Sequence, residues 1–454
     1  MKDIVIPKWL ERLAQIFHQS GFELYLVGGA LRDQLLGLEL KEWDLATSAL
    51  PNQSEKLLRT NQVQSIGTIG KRFGTITGQI MGELIEITTY RGEDYASSSR
   101  QPTVSFGRSI NEDLSRRDFT INALAYEIKD HELIDNFSGQ QDLDNKIIRA
   151  VGQPEVRFRE DPLRMLRAIR FAVTLDFQID PPIEEGVRME KARFAILSAE
   201  RVAQELDKIL LSDQPDRGIK LLVKLGLIEY ILPELIPTID LEFDPREHKD
   251  ILHHILKVLA ATPAQINLRW LALLHDIAKP QTRKKIGNEY HFLGHEIIGS
   301  RMTKAILTRL HYPNEFIRRI SQLVYLHQRI SAYEPSWTDG AVRRFVRDAG
   351  DLLEELFTFA EADCTGQNQQ RLSQYKQLRQ ELKQRITDLE KEAQIAKIKS
   401  PLDGVELMKI FHRPAGIWIK PIKDHLLNLV LEGQLAPDDK KEAEKIAREM
   451  VRDN

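Results

Sequence analysis

Glu42 and Asp44 stand two apart in an apolar stretch, Glu42-Trp43-Asp44-Leu45-Ala46, and so emerge on one face of a strand. Glu86 lies in Leu84-Ile85-Glu86-Ile87-Thr88, where a carboxylate between isoleucines adds nothing to packing. Three carboxylates from neighbouring strands can hold two Mg²⁺ ions, hard cations that take oxygen ligands and keep positions open for substrate oxygens. One ion would activate an attacking RNA 3′-hydroxyl; the other would neutralise a triphosphate and its leaving pyrophosphate. A polar, solvent-facing strand edge is the competing reading of Glu42 and Asp44 taken alone. The glycine pair upstream, Leu26-Val27-Gly28-Gly29-Ala30-Leu31-Arg32, favours the chemistry. Gly28 and Gly29 let backbone N–H groups approach an anion at a helix start, and Arg32, one turn along, reaches the same phosphates.

Two later segments extend the set. Arg116-Arg117-Asp118-Phe119-Thr120-Ile121-Asn122-Ala123 offers arginine for phosphate and carboxylate for a ribose hydroxyl. Glu160-Asp161-Pro162-Leu163-Arg164-Met165-Leu166-Arg167 reads as one helix, with Asp161 and Arg164 at i and i+3 on a shared face. Arg157, Arg159, Arg164, Arg167 and Arg170 crowd into this segment, a candidate patch for RNA phosphates; a solvated basic face is the alternative.

The elements that must carry these residues follow from patterning. Up to about residue 145 the chain reads as α/β. Leu24–Val27 is a short strand, and a helix runs from Gly28 to Leu35 or Leu36. Phe73–Ile80 and Glu83–Tyr90 alternate around Met81-Gly82 as a hairpin. From about 150 the pattern is almost wholly helical, with Leu163, Leu166, Ile169 and Ala172 on one face. Breaks are expected near Pro233–Pro237, Pro245 and Thr365-Gly366. A polar segment from Gln367 to Lys399 keeps helical spacing at Leu372, Tyr375, Leu378 and Leu382, and Pro401 opens a small final module. The expected division is 1–145, 146–238, 239–366 and 367–454.

Composition narrows the class. The 454 residues suffice for about three domains. A net charge of −3, from 64 Lys+Arg against 67 Asp+Glu, is unlike that of a nonspecific nucleic-acid binder, so any RNA must meet local patches. The lone Cys364 leaves no internal disulfide or CxxC site and fits a reducing cytoplasm. No apolar run is long enough for a signal peptide or a membrane span, so a cytoplasmic protein is expected.

In these motifs and their order, Leu26–Asp33, Glu42–Ser48, Glu86–Arg91, Arg116–Ala125 and Glu160–Arg170, the chain resembles the class II tRNA nucleotidyltransferases. These are the bacterial-type CCA-adding enzymes, whose catalytic core bacterial poly(A) polymerases share. The resemblance covers the first ~235 residues closely and the rest more loosely. It implies an α/β head with a DNA-polymerase-beta-like nucleotidyltransferase sheet, followed by an all-α neck, HD body and tail. It implies that Glu42, Asp44 and Glu86 are catalytic and that Arg117, Asp118 and Asn122 bind the ribose and phosphates. Asp161 and Arg164 would read the edge of C or A, choosing CTP and ATP without a template, with Arg167 and Arg170 beside them. Substrates would be tRNA, CTP and ATP. Two departures stand out: Glu42 replaces the usual Asp, and the segment Glu93–Pro102 lacks the family's Asp and Arg-Arg-Pro. Its full length argues against an enzyme adding only C; addition of A alone, or poly(A) synthesis, stays open. In the tail, Arg413-Pro414-Ala415-Gly416-Ile417 is similar to the family's tRNA-elbow segment.

His254, His275-Asp276 and Asp363 form a second series, which resembles an HD phosphohydrolase domain. Imidazoles with carboxylates suit a second divalent metal that would activate water against a phosphate ester, with His295 and His327 lining the pocket. The alternatives are an inactive inherited scaffold or, at the other extreme, a hydrolase for which the head merely binds RNA.

Overall fold

The computed structural model describes residues 3–61, 63–94, 103–107, 109–239, 251–287, 289–364, 369–392 and 399–452. The chain forms two compact units, Met1–Pro233 and Glu234–Asn454. The division falls at the first expected break. Pro245, Thr365-Gly366 and the stretch from Tyr95 to Pro102 lie outside the described residues.

The first unit is built on strands β1 (Leu24–Val27), β2 (Trp43–Thr47), β3 (Gln64–Gly67), β4 (Thr75–Ile80) and β5 (Glu83–Thr89). After a separate antiparallel pair, β6 (Arg91–Asp94) and β7 (Thr103–Phe106), come β8 (Ala125–Glu127) and β9 (Glu132–Ile134). The seven-stranded sheet has the order β3-β4-β5-β2-β1-β8-β9. All four residues of β1 are buried, as an apolar central strand requires. The β4–β5 hairpin turns through Met81 and Gly82, both with positive φ, the pairing that suits a two-residue turn. Phe73, expected in β4, belongs instead to a short 3₁₀ turn, and Gly74 at φ +90° separates it from the strand. One pairing matters most: β2 and β5 run parallel, with Asp44 directly opposite Glu86.

Helices α1 (Lys8–Gln19), α2 (Gly28–Leu36), α3 (Pro51–Thr60), α4 (Ile110–Ser115) and α5 (Gly139–Asp144) accompany the sheet. The chain continues through β10 (Ile147–Ile148), α6 (Pro154–Glu160), α7 (Leu163–Thr174) and β11 (Gln178–Ile179). It then forms α8 (Pro181–Glu190), α9 (Ala199–Leu210), α10 (Pro215–Lys224) and α11 (Ile228–Ile231). The acid–arginine helix expected across Glu160–Arg167 is two helices. Pro162 excludes its predecessor from helical geometry, and Asp161 is extended at φ −138°, ψ 102°. Asp161 and Arg164 therefore do not share one helix face. Leu163, Leu166, Ile169 and Ala172 of α7 are buried as expected.

The second unit holds α12 (Ile251–Ala261), α13 (Ile266–Leu274), α14 (Lys279–Thr282), α15 (His295–Arg309), α16 (Asn314–Ser331), α17 (Asp339–Ala349) and α18 (Leu353–Ala362). A hairpin, β12 (Arg283–Ile286) and β13 (Glu289–Phe292), interrupts the expected all-helical run. The long polar helix is α19 (Gln369–Glu392); it buries Leu382, Ile386 and Leu389 and exposes Tyr375. Helices α20 (Gly404–Phe411), α21 (Ile419–Leu431) and α22 (Lys440–Arg452) close around Leu407, Leu426, Ala443 and Ala447. Among the described residues no helix is long and apolar enough to cross a membrane.

Candidate active site

A cleft of about 620 Å³ in the first unit is lined by every residue expected to act in catalysis or nucleotide binding, from Gly28 and Gly29 to Arg170. On its floor the β2–β5 register sets Asp44 beside Glu86, and Glu42, just ahead of β2, joins them. Burial raises the pKa of Asp44, and Glu42 adds to the rise against the Ala30 N–H, Arg117 and Arg32. Burial likewise raises Glu86, with Asp44 and Glu42 adding to it. Three acids are thus held together against their own repulsion, with too little positive charge nearby. Hard oxygens in such a cluster fit a divalent cation.

The glycines have a sharper role than a phosphate cradle. Asp44 Oδ2 accepts the Ala30 N–H at 3.1 Å, so the first anion at the start of α2 is Asp44 itself. A Cβ on Gly29 would stand 3.1 Å from that oxygen; one on Gly28, which also has φ +62°, would meet an Arg117 Nη1 at 3.0 Å. The left-handed backbone favours glycine at 28, and a side chain at 29 would press on Asp44 where it closes on the turn.

Around the acids runs a connected polar frame. Arg32 Nη1 donates to Asn122 Oδ1 at 2.8 Å, and Asn122 Nδ2 donates to Asp118 Oδ1 at 3.1 Å. Asp118 Oδ2 takes Arg167 Nε at 2.7 Å. Burial opposes ionisation of Asp118, but Arg167 and the Asn122 amide outweigh it and hold its pKa at about 2. Arg117 is gripped by Asp113 through Nε and Nη2, and its Nη1 donates to the Asn122 carbonyl at 3.0 Å. Phe171 lies under three guanidiniums, those of Arg32, Arg167 and Arg170, at 5.0, 5.4 and 3.9 Å from the ring centre.

Asp161 and Arg164 both reach the cleft but have separate partners. Arg164 donates to Glu160 at 2.7 Å and to the carbonyls of Arg157 and Arg116; Asp161 pairs with Arg201 at 2.7 Å. The expected basic patch dissolves in the same way. Arg157 pairs with Glu160, Arg159 with Glu190, Arg167 with Asp118 and Arg170 with Glu205. Arg164, Arg167 and Arg170 line the cleft, whereas Arg157 and Arg159 do not.

Several cleft residues carry little mark in the sequence. Asp113 is almost wholly buried and holds Arg116 and Arg117 together; its signal was its position three and four residues before them. Arg91, Phe171 and Arg201 carried no comparable signal.

A nucleotidyltransferase is the class that this sheet and cleft define. The profile described as "Poly A polymerase head domain" matches residues 24–149, "Probable RNA and SrmB- binding site of polymerase A" matches 176–238, and "HD domain" matches 251–368. A CCA-adding enzyme of Geobacillus sp. (strain WCH70) is 31% identical over 425 residues, covering 93% of this chain and 92% of that one. One from Limosilactobacillus reuteri (strain DSM 20016) is 42% identical over 217 residues, 48% of this chain and 52% of that one. The crystal structure of the Bacillus stearothermophilus CCA-adding enzyme in complex with CTP superimposes with a TM-score of 0.68 at 27% identity, covering 99% of each chain. The chain belongs to the CCA-adding enzyme family.

The second unit holds the other expected cluster. His254 Nε2 lies 3.1 Å from Asp363 Oδ1 and 3.4 Å from Asp276 Oδ2; His275 Nε2 lies 3.2 Å from Asp276 Oδ2 and 3.8 Å from Asp363. The two Nε2 atoms are 3.3 Å apart, and His275 Nδ1 is fixed by the Ala272 carbonyl, a tautomer that aims Nε2 inward. His295 and His327 adjoin Asp276 on the other side. Burial opposes ionisation of Asp363, yet His254 and His275 hold its pKa at about 2. Lys279 Nζ touches Asp276 at 2.6 Å.

Proposed function

We propose that this protein adds C and A to the 3′ end of tRNA from CTP and ATP, without a nucleic-acid template, in the cytoplasm. The observation that carries the reading is the parallel register that sets Asp44 opposite Glu86, with Glu42, in a cleft that Asp161 and Arg164 also line. Two Mg²⁺ ions held by Glu42, Asp44 and Glu86 would activate the RNA hydroxyl and neutralise the triphosphate. The chain's own residues do the rest. Arg32 and Arg117, each oriented by a second polar contact, face the phosphates. Asp118 and Asn122 stand where a ribose hydroxyl would bind. Asp161 accepts from the exocyclic amine of C or A while Arg164 donates to ring acceptors; U and G reverse the amine and carbonyl and leave a charge unpaired. Head 1–145, neck 146–238, HD body 239–366 and tail 367–454 is the organisation that goes with this reading, and each matched profile falls almost wholly on one of its first three parts.

Three tRNA substrates test it: one ending at the discriminator base, one at C and one at CC, each with labelled CTP or ATP. CTP should extend the first two and ATP the third. Extension of the CC-ended tRNA alone would make this an A-adding enzyme, and a run of added A a poly(A) polymerase.

A second activity is proposed for the His254, His275, Asp276 and Asp363 cluster: a divalent transition metal there, hydrolysing phosphates or 2′,3′-cyclic phosphates at RNA ends. Its support is that His254 Nε2 and His275 Nε2 each lie 3.1–3.8 Å from a carboxylate oxygen of both Asp276 and Asp363, an N/O donor set suited to such metals.

A further inference from the structure

Asp161 sits at the joint between α6 and α7, away from regular helical geometry, and two groups fix its carboxylate. Oδ1 accepts the Leu163 N–H at 3.1 Å; Oδ2 accepts Arg201 Nη2 at 2.7 Å. Arg201 comes from 40 residues further on, in the first turn of α9, where Ser198 caps the helix through the Arg201 N–H. A cation there opposes the helix dipole. Its side chain is 50% exposed, so the ion pair adds little to stability. The position makes poor sense as scaffold and good sense as a device acting on Asp161. Arg164, by contrast, is pinned from behind by three acceptors of its own.

We propose that Arg201 is a positioning residue for base selection. This rests on the reading of Asp161 and Arg164 as the pair that recognises the base edge. By holding Oδ2, Arg201 fixes the plane of the Asp161 carboxylate, so that an acceptor faces the incoming base in one direction only. Freed of that hold, the carboxylate turns about its side-chain bonds and no longer penalises a carbonyl at the amine position. Arg201 thus sets how strictly C and A are told from U and G, more than how fast the reaction runs.

The test is single-nucleotide incorporation by the full-length protein on tRNA ending in C or CC. CTP is compared with UTP, and ATP with GTP, for wild type, R201A and R201K. In R201A the kcat/KM ratio of CTP to UTP should fall roughly tenfold, the size of one lost charged hydrogen bond, and ATP to GTP similarly. R201K, whose ammonium still reaches Oδ2, should restore most of the discrimination. Thermal midpoints should stay within about 2 °C of wild type, as for a half-exposed pair. If wild type discriminates and R201A does so equally well, this inference falls and the base-reading role stands. The inference falls too if R201A only weakens tRNA binding, which would make Arg201 a phosphate ligand. If wild type takes UTP as readily as CTP, both readings fall together.

Discussion

Carboxylates behave oppositely in the two clusters of this molecule. Asp44 and Glu86 are pushed up because burial, with the charge of Glu42 on both and of Asp44 on Glu86, outweighs the arginines within reach. Asp276 and Asp363 are at least as far removed from water, yet imidazoles, with Lys279 beside Asp276, pull both down. Burial is shared, so neighbours decide the sign. The first cluster waits for positive charge to arrive from outside, as a divalent cation would supply. The second brings its own. A metal entering the second cluster must displace Lys279 from Asp276 and find its imidazoles neutral, whereas one entering the first relieves the repulsion among the acids.

The largest effect should come from breaking each cluster separately. Asp44→Asn should cut nucleotide transfer on the order of a thousandfold while raising the thermal midpoint of the metal-free protein, because one of three repelling charges is gone. His275→Ala should leave transfer within about twofold and abolish metal uptake by the second cluster, measured by metal analysis of the dialysed protein. Loss of transfer in both variants would erase the contrast. Next comes an acid inside the cleft that does have partners: Asp113→Ala strips Arg116 and Arg117 of their buried anion and should cost about 3 kcal/mol in urea unfolding. A cost near zero would mean that the arginines find other anchors.

The smallest effect is a difference in pH response. Asp118 has a folded pKa near 2, below its unfolded value, so its contribution is present above about pH 4 and lost as pH falls through 2, about 2 kcal/mol in all. Asp44 and Glu86 have raised folded pKa values, so the stability gained on protonation is full below their unfolded values and lost as pH rises through the folded ones. Added divalent cation should therefore raise the thermal midpoint more at pH 8 than at pH 5. An equal rise at both would contradict the sign given to these two acids.

Much of the first cluster was legible because its residues lie in short segments with strong local grammar. Alternation placed Asp44 within a strand, but Glu42 stands in the bend just ahead of it and not on a shared strand face, while the glycine pair marked the turn above them. The joint at Asp161 is announced only by Pro162, since the residue before proline avoids helical geometry, whereas the acid–arginine spacing suggests one continuous helix. The β12–β13 hairpin is marked in the sequence only by Gly287-Asn288 between alternating residues, a signal that the helical pattern on either side outweighs. The arginine run could not be judged from sequence: Glu190 and Glu205, which neutralise Arg159 and Arg170, lie 31 and 35 residues away. Asp113 was readable by spacing, whereas the hold of Arg201 on Asp161 spans 40 residues and belongs to tertiary structure alone.

Phe171 offers one last consequence. Its ring is the common floor for Arg32, which donates to Asn122, and for Arg167 and Arg170 on α7. A single aromatic plane thereby acts as a datum from which the two ends of this arginine cluster are measured. Trimming it to leucine would let the two ends drift independently, lengthening or shortening the gauge while leaving every charged group in the chain.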